Sequence, residues 1–181
     1  MKLRRLVLAA AIPAVLAAAA AHADPYDVAR SVTDPSKDAA SVVDVTSVDW
    51  FYSDADETLT ATAKLVKLTD KTTVSFMYGQ RNEVFGDDLA DFRVRIINGV
   101  PKVTRYTNGK LKFGPQPCDN PKPITWDKAA DAVTLAVPAD CLTLDHTGDF
   151  DSKFWVKTSH SQNPSSDKTK TVLIKGWFIP S

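Results

Sequence analysis

The sequence predicts an all-β fold, an antiparallel, jelly-roll-like β-sandwich, from three observations. Apolar residues recur with period two in several short runs, the pattern of a strand with one buried face. Turn signals separate those runs at intervals of about eight to twelve residues, the spacing of a sandwich or barrel. Nowhere do apolar residues keep a helical spacing long enough for an amphipathic helix. About nine strands are expected, in one domain running from residue 24 to 181.

The chain starts differently. Lys2, Arg4 and Arg5 precede an apolar run from Leu6 to Ala20, and Ala21-His22-Ala23 offers a small-x-small cleavage signal before Asp24. This predicts a signal peptide over residues 1–23 and a secreted, extracellular protein. No later apolar stretch is long enough to span a bilayer, so no membrane span is expected after cleavage. The twin Arg4-Arg5 admits the Tat route, although Leu3 stands where a polar residue belongs. About 158 residues remain, enough for a real core. The whole chain carries 22 basic and 22 acidic residues, and losing three cations with the leader brings it near −3. No basic cluster follows a helix or loop, which argues against nucleic acid as a partner.

Along the chain, residues 24–40 are polar and broken by Pro25 and Pro35, which reads as an irregular lead-in over the domain. Leu59, Ala61, Ala63 and Leu65 then alternate with Thr58, Thr60, Thr62 and Lys64. Val74, Phe76 and Tyr78 alternate with Thr73, Ser75 and Met77. Phe92, Val94 and Ile96 alternate with Arg93 and Arg95, and Val133, Leu135 and Val137 with Ala132, Thr134 and Ala136. Asn98-Gly99 and Asn108-Gly109 can supply the positive φ of tight hairpin turns. Strand parity puts Trp50 with Val48 and Phe154 with Val156, facing inward.

Cys118 and Cys141 are the chain's two cysteines. In an exported protein the pair predicts a disulfide, which would add about 3 kcal/mol by the chain-entropy model. Neither has a second Cys or a His at metal-ligand spacing.

The candidate ligand-binding residues come from the opposite parity. Trp155 falls between Lys153 and Lys157, and Trp177 shares its face with Lys175. Two indoles on lysine-bearing faces could form a platform for a saccharide, with the lysines donating to hydroxyls or meeting an acidic sugar. The competing reading is that the indoles cap the sheet. Asp145, Asp149 and Asp151, with Gly148 among them, are the candidate calcium ligands. They lack the closing Glu and the spacing of an EF-hand, and turn acids explain them as well. Asp54, Asp56 and Glu57 read as a hairpin turn, and Asp87, Asp88 and Asp91 as a loop.

No G-x-S-x-G elbow exists, and no feature ties His146 or His160 to a nucleophile. Paired carboxylates for a hydrolase cannot be singled out among so many acids. The expectation is a non-catalytic module that binds an extracellular ligand, saccharide or protein, with no cofactor other than calcium. The alternatives are a calcium-dependent carbohydrate-binding module and an extracellular hydrolase using paired carboxylates.

Asp44-Val45, Ser47-Val48 and Leu59-Thr60-Ala61-Thr62-Ala63-Lys64-Leu65 resemble the opening hairpin of small secreted actinobacterial β-sandwich proteins. Cys118, Trp126-Asp127, the run from Asp131 to Pro138 and Cys141-Leu142 resemble their later signature. These proteins look like distant relatives of DOMON-like and carbohydrate-binding sandwich domains. The resemblance implies fold and compartment, with little about chemistry. DOMON-like domains also take haem, for which Met77, His146 and His160 are the inventory.

Overall fold

The computed structural model describes residues 28–35, 37–81, 92–107, 110–111, 124–142 and 151–174. Their strands are β1 (Val28–Thr33), β2 (Val45–Ser53), β3 (Thr58–Leu65), β4 (Thr72–Arg81), β5 (Phe92–Ile97) and β6 (Val100–Thr107). Next come β7 (Lys110–Leu111), β8 (Ile124–Asp127), β9 (Ala132–Pro138), β10 (Asp151–His160), β11 (Asn163–Lys168) and β12 (Val172–Ile174). One sheet has five strands in the order β1-β2-β3-β9-β8. The other has seven, β11-β10-β4-β5-β6-β7, with β12 also paired to β10. Consecutive strands mostly pair as antiparallel hairpins, and β3–β9 and β4–β10 are the long-range pairings.

The architecture is all-β and two-sheeted, and the alternation in the sequence is what builds it. Val48, Trp50 and Tyr52 are buried in β2, while Asp49 and Phe51 between them face solvent. Leu59, Ala61, Ala63 and Leu65 of β3 and Val133, Leu135 and Val137 of β9 bury the same face. Val74, Phe76, Tyr78, Phe92, Val94, Ile96, Phe154 and Val156 answer from the seven-stranded sheet. Trp50 crosses between the layers. Its ring meets Phe76 edge-on at 5.9 Å and Phe154 at 5.1 Å, and Phe154 meets Tyr78 at 5.0 Å. The void recorded within this core is about 10 Å³, too small for a ligand.

Local chemistry sets the turns. Asn98 and Gly99 take φ of 48° and 73°, the two positive values that a two-residue hairpin between β5 and β6 requires. A Cβ on Gly99 would stand 3.4 Å from Trp126 Cβ of β8, so this turn also packs against the other sheet's edge. Asp127 Oδ1 accepts from the N–H groups of Ala129 and Ala130 and closes the β8–β9 turn. Asp131 follows at φ 50°, and its Oδ1 accepts from Leu68 N–H at 2.8 Å. Asn108-Gly109 lies outside the described residues.

One expectation needs correction. The lead-in is not wholly irregular, because residues 28–33 pair with β2 from Val28↔Tyr52 to Thr33↔Ser47. An edge strand half-open on both faces carries no alternation to read, and its burial is correspondingly weak. No disulfide bond joins two described residues, because Cys118, the expected partner of Cys141, lies outside them. Cys141 is buried at the end of a short 3-10 turn (Ala139–Cys141) and is not a free thiol. It shares the core with its neighbours Ala139 and Leu142. The expected signal peptide likewise precedes the described residues. None of the described helical segments is long and apolar enough to cross a membrane.

Replacing Trp50 with alanine should cost about 3–5 kcal/mol of unfolding free energy, whereas Phe51→Ala, at a side chain 45% exposed, should stay within about 0.5 kcal/mol. Urea unfolding of both variants checks this, and equal losses would contradict the assigned faces. Gly99→Ala should lose about 1 kcal/mol or more, since alanine is strained at positive φ.

Candidate functional site

The parity that buries the apolar residues turns another set of side chains outward on the seven-stranded sheet. Register brings them into rows. Lys102 of β6 is opposite Arg95 of β5, which is opposite Ser75 of β4. Ser75 is opposite Lys157 of β10, and Lys157 is opposite Lys168 of β11. Four cations and a hydroxyl therefore form one line across five strands, spanning about 19 Å at the usual strand spacing. Beside it, Thr73, Ser159 and Ser166 form a hydroxyl row of β4, β10 and β11. Arg93, Arg95, Lys157 and Lys168 line a groove of about 530 Å³ along this face, with Asp38 and Asp167 also in its wall. Opposed like charges such as Arg95 with Lys102 and Lys157 with Lys168 cost stability in a sheet.

Trp155 is not open as a platform for a ligand. Trp155 lies on the outward face, as parity predicted, but it is only 2% exposed. It packs on Met77, directly opposite in β4, and the Lys168 ammonium lies 5.9 Å from its ring centroid. Lys153 is buried too, at 7% exposure, whereas Lys157 is open. Sequence parity gives a face, and only the packed structure tells whether that face is covered. Trp177 and Lys175 lie outside the described residues, as do Asp145 and Asp149. Asp151 is described only as the backbone start of β10. Met77 and His160 are not brought together: they align with Trp155 and Thr72, about 17 Å apart along the β4–β10 ladder. His160 Nδ1 accepts from Gln162 N–H.

Two acids of the groove wall, Asp38 and Asp167, belong to an acidic trio that sequence reasoning missed. One carboxylate oxygen from each of Asp34, Asp38 and Asp167 falls within 4.8 Å of the others. Asp34 Oδ2 is buried with no hydrogen-bond partner among the described residues. Asp167 is tethered, accepting from Val45 N–H at 2.8 Å and from its neighbour's Lys168 N–H at 2.7 Å. Such an all-carboxylate donor set suits a hard cation better than a soft one. Burial first, then the charges of Asp167 and Asp38, raise the Asp34 carboxyl above its ordinary value, while Lys170 pulls it down.

Known proteins give no identification. No protein family matches the chain, and no characterised protein matches it significantly. The site must be read from its own chemistry.

A raised carboxyl pKa means that the folded protein holds this proton more tightly than the unfolded chain. The stability contribution of Asp34 therefore falls as pH rises from the ordinary aspartate range through the raised value. Asp34→Asn should raise the melting temperature at neutral pH, and the gain should vanish below pH 3.8. Thermal melts across that range are the check, and a less stable variant at neutral pH would contradict the crowding of carboxylates.

Proposed function

We propose that this chain is an exported, non-catalytic binding module that takes an anionic ligand on the outer face of its seven-stranded sheet. The observation that carries this reading is the row Lys102, Arg95, Ser75, Lys157 and Lys168, held in register across five strands. Arg95, Lys102 and Lys157 enter no ion pair with another described residue, so each has charge to offer. Like charges stand opposite one another twice along it, a repulsion that a bound anion would relieve.

The groove's cations and hydroxyls suit an anionic ligand. Its described lining holds no histidine or cysteine. The hydroxyls of Ser75, Ser159 and Ser166 are hydrogen-bonded to no base among the described residues. Export rests on the leader-like residues 1–23, and a mature protein beginning at Asp24 in culture supernatant is its direct test.

Binding of a multivalent anion should raise the melting temperature, because a ligand held only by the folded state stabilises it. Inorganic polyphosphate at low ionic strength is the simplest probe. The shift should shrink with added salt and disappear in the double variant Arg95→Glu, Lys157→Glu. No shift with any multivalent anion, or an equal shift in the double variant, would overturn the assignment.

A further inference from the structure

We infer that the ligand of this face is a linear acidic polysaccharide, a polyuronate, lying across the strands along the cationic row. This rests on the anion-binding reading above and narrows it to one polymer class. The length of the row excludes a single small anion as its full complement, since one carboxylate or phosphate cannot meet cations spread over about 19 Å. A polymer with anionic groups in line can. Its chain would run perpendicular to the strands, because that is the direction in which Lys102, Arg95, Lys157 and Lys168 succeed one another.

Three features choose a polyuronate over denser or flatter polyanions. The row is interrupted by Ser75 and flanked by Thr73, Ser159 and Ser166, so donors of charge stand beside hydroxyls. A uronate polymer presents the same mixture, carboxylates among ring hydroxyls. Asp38 and Asp167 in the groove wall would repel a continuous run of phosphates, yet can accept hydrogen bonds from sugar hydroxyls. Single-stranded nucleic acid binds on exposed aromatic platforms, and Trp155, the aromatic on this face of β10, is buried. Lys157 keeps the acidic-sugar role that its sequence position suggested, without the indole.

Affinity electrophoresis and calorimetry with polygalacturonate test this, using dextran as the neutral polymer and polyphosphate, heparin and oligothymidylate as other polyanions. Polygalacturonate should bind more tightly than all of these, and galacturonate oligomers should gain affinity until they span about 19 Å. Arg95→Ala and Lys157→Ala should each weaken binding about two- to fivefold, as expected for exposed ion pairs. Lys157→Arg should retain binding. Lys128→Ala, which removes an exposed pair with Asp70 on the β8–β9 turn, should change nothing. Tighter binding of polyphosphate, heparin or oligothymidylate would overturn the polyuronate while leaving the anionic face standing. Binding of none of these polyanions at low salt would overturn both.

Discussion

Trp50 is the constraint on which the arrangement of both faces depends. It stands on the five-stranded sheet and packs between Phe76 and Phe154 of the seven-stranded one. That contact pins the parity of β2, β4 and β10 together. Side chains alternate strictly along a strand, so a slip of one residue would turn Phe76 and Val156 to solvent and Ser75 and Lys157 into the core. The aromatic interlock therefore orients the apolar face and the charged face in a single step.

The outward face is not uniformly polar, and its patchwork has a physical logic. Met77 and Trp155 form a small covered apolar island among hydroxyls and cations. The Lys168 ammonium lies over the indole, where the ring's negative face draws it toward Trp155. Sheet hydrogen bonds hold the remaining cations at strand spacing whatever their mutual repulsion. The rigid scaffold thus carries an unfavourable arrangement of charge at modest cost, because exposed charges are well screened.

The segment between β1 and β2 joins the layers at one end of this face. Thr72 Oγ1 donates to Val42 C=O at 3.0 Å, and the Thr158 hydroxyl donates to Val43 C=O. A register shift between Val45 and Ser47 accompanies the bond from Val45 N–H to Asp167 across the sheets. Asp44, 1% exposed, accepts from Lys37 N–H and ties the turn beneath. Asp34 and Asp38 are thereby brought against Asp167. The acidic trio is a by-product of strapping this segment over the core, with carboxylate crowding as its consequence.

The strands of the core were legible in the residues themselves. Period-two alternation from Leu59, Val74, Phe92 and Val133 onward, and the positive φ demanded at Asn98-Gly99, are local facts that no partner needs to supply. The outward parity of Trp155 and Lys157 was equally local. Whether an outward side chain reaches solvent was not, since Trp155 is covered by groups contributed from β4 and β11. The cationic row and the acidic trio were invisible for the same reason. Lys102, Arg95, Lys157 and Lys168 are scattered through the chain, as are Asp34, Asp38 and Asp167, and no local window contains either set. Sequence determined which face each residue takes, because alternation is a property of one strand. Tertiary structure alone decided which residues share that face as neighbours, because strand order and register belong to the sheet.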